Sequence, residues 1–213
     1  MAILPEEIPV VLTIFLALGA WRLSKKNVLT RRSSAIETLG SATVLCSDKT
    51  GTITQNKMIV AAVALDRKII ERSAFQPNDN LLRKLIATGS LASAQDTADP
   101  MEKAIFALHS DMAYEKTALD FEREYTLSKG LLMMTRAYRS NQHTNYYLTA
   151  KGAPEAVLTL CNCTNEEQLI QMDLVKTMAS QGYRVIAVAE ATHLGNTWPE
   201  SQHGFTYKLL GLL

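Results

Sequence analysis

The sequence DKTGT at residues 48–52 has the clearest chemistry in the chain, and it directly follows a short apolar run at residues 43–47. This pattern predicts a buried strand that ends in a polar loop, which is where open α/β sheets hold their ligands. From that position the carboxylate of Asp48 can attack a phosphoryl group, while Lys49 and a magnesium ion offset the oxygen charges. We therefore predict Asp48, Lys49 and Thr50 as catalytic residues, with Asp48 and Thr50 also at the magnesium. The alternative is an ordinary Asp/Thr/Gly turn.

An almost unbroken apolar run at residues 8–21 sets the amino-terminal part of the chain apart. Basic residues follow it at once, at positions 22, 25, 26, 31 and 32, which indicates a cytoplasmic exit from a membrane. The run is shorter than the roughly 20 residues that a spanning helix needs, so a buried helix, a signal sequence or part of a spanning helix all remain open. A signal sequence fits poorly because acidic residues precede the run. We expect a membrane protein whose bulk is cytosolic, with lipid as a partner.

Two carboxylates stand between two prolines in the sequence PEEIP at residues 5–9. Proline interrupts backbone hydrogen bonding, and an unwound stretch with an ionisable side chain such as Glu6 can bind a hard cation. Proline and acidic residues are also common at ordinary helix starts. From these five residues alone, the ordinary helix start is favoured.

Composition places limits on the remaining possibilities. The chain has 213 residues, 47% of them hydrophobic and 20% charged, which suits one or two folded domains. Its net charge of +1 provides no overall field that would attract nucleic acid, which we do not expect as a partner.

We expect residues 58–194 to fold as an α/β unit. The patterns predict strands within 58–65, 131–138, 146–150 and 183–189, and helices over 80–92, 100–112 and 166–180.

The sequence CSDKTGTIT at residues 46–54 resembles the phosphorylation signature of cation-transporting P-type ATPases, the bacterial calcium-pump-like subgroup in particular. The PEEIP sequence is similar to the ion-binding kink of that family's fourth transmembrane helix, and it lies about 40 residues upstream, as the family requires. This resemblance favours the functional interpretation of Glu6. It implies an aspartyl phosphate at Asp48 and a transported cation at Glu6. Calcium is the leading ion, with magnesium, manganese, sodium and a proton left open.

The same resemblance implies an α/β fold with four parts. These are a partial transmembrane helix with the ion-binding kink at residues 1–24, and a stalk with the first part of a haloacid-dehalogenase-like phosphorylation domain at 25–57. An inserted, mixed α/β nucleotide-binding domain follows at 58–194, and residues 195–213 begin the return to the phosphorylation domain.

Three motifs resemble the family's nucleotide pocket, and they imply ATP and Mg²⁺ as cofactors. In DPMEKA at residues 99–104, Glu102 corresponds to the glutamate near the adenine. In KGAPE at 151–155, Lys151 and Gly152 line the pocket, and in GYRVIA at 182–187, Arg184 reaches the phosphates. Taken singly, each has an ordinary alternative: a capped helix, a surface lysine at a turn and a charge at a strand edge.

The pocket departs from the family pattern at two positions. Leu127 and Leu132 stand where the family usually has an aromatic ring and a lysine. Stacking and cation terms worth about 0.5–2 kcal/mol would then be missing. Tyr125 is the expected substitute, because it is two residues away on the same face of a strand. We therefore expect weaker or less selective ATP binding.

The sequence lacks the Thr-Gly-Asp, Gly-Asp-Gly-x-x-Asn-Asp and Thr-Gly-Glu segments of the complete pumps, and it has no further membrane helices. We accordingly expect an interior fragment of an ATP-driven cation pump, with the remainder of the pump missing and no transport by this chain alone. The alternative function is a membrane-tethered ATP-binding module without turnover. A soluble phosphatase with related aspartate chemistry is a distant third, because the apolar start and the nucleotide motifs speak against it.

Overall fold

The computed structural model describes residues 7–32, 34–112, 119–140, 145–195 and 197–213. The chain divides into two compact units, one before residue 56 and the other at Asn56–Leu213. Within the first unit, the described helices are α1 (Glu7–Ser24) and α2 (Ser34–Gly40). The predicted cation ligand Glu6 lies outside the described residues.

Helix α1 is the expected apolar helix, and it is longer than the apolar run that predicted it. Its 18 residues span about 27 Å, close to the thickness of a bilayer's hydrocarbon core. By length and composition it is able to cross a membrane. None of its residues is buried within the unit, and side chains such as Phe15 (68% exposed) and Trp21 (56% exposed) lie on its surface. The ammonium of Lys25 lies 3.9 Å from the centre of the Trp21 ring.

The prediction of a strand at residues 43–47 is wrong for the described structure. This segment has no regular secondary structure, and its side chains are exposed, with Val44 at 78% and Leu45 at 89%. An apolar run is stable as a strand only where neighbouring strands bind its backbone and its side chains pack against a core. Neither support is present among the described residues of this unit.

In the second unit, the described residues form one seven-stranded sheet in the order β2-β1-β7-β6-β5-β4-β3, with every neighbouring pair antiparallel. The strands are β1 (Ala62–Leu65), β2 (Lys68–Glu71), β3 (Leu119–Tyr125), β4 (Met133–Ser140), β5 (Tyr146–Gly152), β6 (Ala187–His193) and β7 (Lys208–Leu212). The α/β class is confirmed as a mixed α/β unit built on an antiparallel sheet. Strand β7 lies between β1 and β6, so the sheet includes residues from the 195–213 segment.

Four helices accompany this sheet in the described part of the unit: α3 (Asn80–Leu91), α4 (Pro100–Asp111), α5 (Pro154–Leu160) and α6 (Asn165–Ser180). The three helices predicted from periodicity agree with α3, α4 and α6 to within one residue at each end, and α5 begins at Pro154 within the KGAPE sequence. Side-chain capping explains these starts. Asp99 accepts a hydrogen bond from the Met101 amide at 2.8 Å ahead of Pro100, and Thr164 and Glu167 form a reciprocal capping box.

Two buried cores cover the two faces of the sheet. Val188 of β6 packs in a core with Leu85 of α3 and Ile105 of α4, whereas its neighbour Ala189 packs in a core with Val157 of α5. This alternation follows from the two-residue period of a strand. Each fully buried Leu, Ile or Val contributes about 1.5–3 kcal/mol, and the sheet is thereby fixed against helices on both sides.

Candidate nucleotide-binding site

A cavity of about 670 Å³ opens in the second unit where the carboxyl end of β5, the first turn of α4 and the far end of α6 come together. Its size is within the range typical of small-molecule sites. The lining residues are Ala94, Asp99, Met101, Glu102, Leu127, Leu132, Met134, Lys151, Gly152, Ala153, Pro154, Glu155, Val175, Ala179, Arg184, Val185 and Ile186. Five of the six predicted nucleotide residues are therefore brought together at one site.

The polar centre of the cavity is the ion pair between Lys151 of β5 and Glu102 of α4. The Nζ of Lys151 donates to the Glu102 carboxylate and, at 2.7 Å, to the hydroxyl of Ser93. Both side chains of the pair are almost fully buried, with 11% of Lys151 and 8% of Glu102 exposed. Buried charges are stable only when they are paired and hydrogen-bonded, as they are here.

Burial and hydrogen bonding act against each other on this pair. Burial lowers the pKa of Lys151, and the neighbouring Glu102 carboxylate partly restores it. Burial alone would raise the pKa of Glu102, but hydrogen bonds from Lys151, Thr97 and the Ala94 backbone hold that pKa below its ordinary value. The pair is thus charged but neutral as a unit, and it offers polar groups to a ligand without a large net field.

Gly152 is required by the close approach of β5 to β4. It stands opposite Met133 in the strand register, and a Cβ added to it would lie 2.7 Å from the Met133 Cα. The next residue, Ala153, donates its amide to the Leu132 carbonyl at 2.9 Å. The glycine therefore sets the backbone path that leads from the cavity wall into α5.

Arg184, Leu127 and Leu132 form more open parts of the wall. Leu127 is 55% exposed and Leu132 is 57% exposed, so the two apolar replacements do lie at the cavity. Arg184 is exposed and also lines a neighbouring cavity of about 270 Å³. A guanidinium in this position is free of the buried ion pair and suits an anionic part of a ligand.

Tyr125 does not lie at the cavity. It is buried on the face of the sheet opposite Lys151 and Glu102, where its ring meets Phe205 at 5.4 Å and its hydroxyl donates to the Pro199 carbonyl at 2.8 Å. The expectation that it shares a face with Leu127 assumed one continuous strand. Strand β3 ends at Tyr125, so the two-residue alternation does not extend to Leu127.

The residues of the DKTGT sequence lie in the first unit. Asp48, Lys49 and Thr50 are exposed, and a tight turn at Lys49–Ile53 passes through Gly51 at φ 79°. The Asp48 carboxylate makes no capping hydrogen bond to this turn. Within the described ranges, no group of three or more His, Cys, Asp or Glu side chains is placed to hold a metal ion.

Several residues at the site carried no sequence signal. Ser93 and Thr97 belong to no motif and contact the ion pair without lining the cavity, and the lining residues Val175 and Ala179 are ordinary positions on α6. The only available clue to Ser93 and Thr97 was their place in the short connection between two predicted helices. Their contacts to the ion pair become visible only when α3, α4 and β5 are assembled.

The second unit is thus a mixed α/β fold with a cavity large enough for a nucleotide. Comparison with known proteins shows which proteins the chain resembles. Over 89% of its length the chain is 30% identical to calcium-transporting ATPase 1 of Bacillus cereus and 32% identical to the cation-transporting ATPase pma1 of Synechocystis. It is 29% identical, over 83% of its length, to the sodium/potassium-transporting ATPase subunit alpha of Hydra vulgaris. No family model matches the chain.

Over most of its length the chain is similar to P-type cation-transporting ATPases, and the resemblance predicted from its motifs is confirmed. It spans 20–25% of the length of the three relatives named above. All three are named as ATPases, which agrees with the expectation that ATP is a cofactor.

Proposed function

We propose that the cavity of the Asn56–Leu213 unit binds ATP for a P-type cation pump. The observation that carries this proposal is the buried Lys151–Glu102 pair, held beside Gly152 in the wall of a cavity of about 670 Å³. A pair that is neutral as a unit, within a largely apolar wall, suits an uncharged heterocycle. The exposed Arg184 at the same wall suits the phosphates.

The proposed reaction is phosphoryl transfer to Asp48. A carboxylate oxygen of Asp48 forms a bond to the γ-phosphorus, the bond from that phosphorus to the β–γ bridging oxygen breaks, and ADP leaves. Lys49 and the hydroxyl of Thr50 offset charge on the transferred group. Magnesium, when bound near Asp48 and Thr50, supplies additional charge neutralisation. The exposed DKTGT turn leaves these groups accessible.

The proposed domain plan follows the resemblance. Residues 25–57 are the stalk and first part of a haloacid-dehalogenase-like phosphorylation domain, and the sheet unit is the nucleotide-binding domain inserted into it. Because β7 belongs to the same sheet, we place the carboxyl-terminal limit of the proposed inserted domain beyond residue 194. Helix α1 anchors the chain in a membrane with its bulk on the cytosolic side, since basic residues follow the helix.

Calcium is the proposed transported ion, bound near Glu6. Support comes from the hard oxygen ligands that the PEEIP sequence can offer and from the name of the Bacillus cereus relative. Binding of radioactive calcium to the full chain in detergent tests this assignment. Loss of that binding in Glu6→Gln, with retention in Glu37→Gln, is the expected result.

Incubation of the full chain with γ-labelled ATP and Mg²⁺ tests the central proposal. We expect saturable ATP binding and an acid-stable, hydroxylamine-sensitive phosphoprotein that is absent in Asp48→Asn, while that variant still binds ATP. ATP binding without any phosphoprotein would instead favour the membrane-tethered module without turnover. Absence of ATP binding would contradict both functions.

A further inference from the structure

Ser93 lies immediately beyond the end of α3 and is 1% exposed. Its hydroxyl donates to the Gly89 carbonyl at 2.9 Å and accepts from the Nζ of Lys151 at 2.7 Å. Its backbone carbonyl accepts from the guanidinium of Arg136, and its amide donates to Ser90 at 3.0 Å. Ser93 is thus fixed through both its backbone and its side chain.

The direction of these hydrogen bonds determines what Ser93 offers to Lys151. A serine hydroxyl has one hydrogen to donate and two lone pairs. Because that hydrogen is used by the Gly89 carbonyl, only the lone pairs remain for the ammonium group. Ser93 is therefore oriented as an acceptor before any ligand arrives.

The ammonium of Lys151 has three N–H donors. Among the described residues, Glu102 takes one and Ser93 takes another. One donor is left for a ligand in the cavity that Lys151 lines. With two partners at fixed positions, the third N–H has a restricted direction, whereas an ammonium held by one partner has more freedom to swing about that single bond.

We propose that Ser93 is a positioning residue for nucleotide binding, which fixes the Lys151 ammonium so that its remaining N–H is presented to the cavity. The proposal rests on the ATP-binding function put forward above. It differs from that function in that it assigns a role to the end of α3, which carries no nucleotide motif. The role is exerted through Lys151 and requires no contact between Ser93 and the nucleotide.

The lysine ammonium signals of the nucleotide-free full chain, observed by proton–nitrogen NMR in detergent micelles, test the positioning directly. We expect a slowly exchanging Lys151 signal that is assigned by its loss in the Glu102→Gln/Lys151→Met double variant. Ser93→Ala should broaden or shift this signal by faster exchange with water. Ser90→Ala is the matched control, because Ser90 is also buried and lies three residues away in α3. An unchanged signal in Ser93→Ala would overturn the proposal.

ATP affinity tests the consequence for binding. Ser93→Ala should weaken ATP binding by about two- to tenfold, the range expected for one net hydrogen bond, while Ser90→Ala should not. In the Glu102→Gln/Lys151→Met background, Ser93→Ala should have no additional effect. An equal loss in both backgrounds would show that Ser93 acts without Lys151 and would contradict the proposal. If the wild type binds no ATP, the proposed function fails, and the ammonium signal still decides the positioning.

Discussion

The hydroxyl of Tyr147 donates to a carboxylate oxygen of Glu190 at 3.0 Å, and the other carboxylate oxygen of Glu190 accepts from Lys84 at 2.5 Å. Tyr147 and Glu190 lie on the adjacent strands β5 and β6, whereas Lys84 is on α3. The same hydroxyl is 3.0 Å from that of Thr88, also on α3. This network ties α3 to the centre of the sheet away from the nucleotide cavity.

Tyr147→Phe should therefore destabilise the unit without affecting the site. Removing the hydroxyl leaves the buried Thr88 and the half-buried Glu190 with fewer partners, at a cost of about 1–2 kcal/mol. Urea unfolding of the full chain in detergent would show the loss, and ATP affinity should stay constant. Tyr183→Phe is the control, because its hydroxyl makes an exposed bond to Glu71 of 3.3 Å and should contribute little.

Glu102→Gln alone should be much more harmful than replacement of the whole ion pair. The single change leaves the buried Lys151 ammonium without its counter-charge, and breaking buried pairs in this way costs about 3–5 kcal/mol. Glu102→Gln/Lys151→Met should recover most of this free energy of unfolding while ATP binding remains impaired. Equal stability of the single and double variants would contradict the ion pair.

The free energy of unfolding should depend on pH through the protonation of Glu102. Its pKa in the folded chain is below the ordinary value of 4.5, so its stabilising contribution is complete above that value. The contribution is lost as the pH falls from 4.5 through the lower, folded-state pKa. The unfolding free energy of the wild type should decrease more steeply in this window than that of Glu102→Gln/Lys151→Met. Parallel curves would show that Glu102 is not held ionised.

Gly152→Ala should disrupt the wall between β4 and β5. The added methyl group meets the β4 backbone, which cannot move aside as a flexible side chain would, and we expect a cost of about 1–3 kcal/mol with weaker ATP binding. Gly130→Ala is the control, since nothing lies within 4 Å of a Cβ at that position. Comparable unfolding curves for the two variants would contradict the proposed close approach.

Leu127→Phe should strengthen ATP binding by restoring an aromatic ring at the cavity wall. Stacking contributes about 0.5–1.5 kcal/mol, which corresponds to a two- to tenfold lower Kd. Leu169→Phe adds the same ring at an exposed position that does not line the cavity, and it should leave the Kd unchanged. Equal ATP affinity in Leu127→Phe and the wild type would show that the adenine base does not contact residue 127.

Local patterns were sufficient for the helices and for most of the polar site. Periodicity and caps located α3, α4 and α6. The motifs predicted Glu102, Lys151 and Arg184 as site residues, and all three line one cavity. Strands β2, β3 and β7 were not identified. Strand β7 pairs with β1, which is far away along the chain, so no local pattern reveals that pairing. Residues 43–47 were predicted as a strand but do not form one. Their apolar pattern is local, and a strand also needs neighbouring strands to pair with.

Motif-based prediction failed at two residues of the site: it placed Tyr125 at the cavity wrongly, and it did not identify Ser93. The position of Tyr125 depended on where β3 ends, and strand ends are set by pairing and not by the side chains alone. Ser93 acts through a contact between α3 and β5, elements separated by α4 and two strands. Such contacts follow from tertiary assembly and leave no local pattern.

The place of β7 in the sheet has a consequence for synthesis on the ribosome. The last described strand to emerge must insert between the first strand and the sixth. Until then, the β1–β2 hairpin has no sheet neighbour to join it to β6, although β3, β4, β5 and β6 can already pair in sequence. The free edge of β1 therefore stays uncovered from the synthesis of the hairpin until β7 emerges, and β7 then covers the free edges of β1 and β6 together.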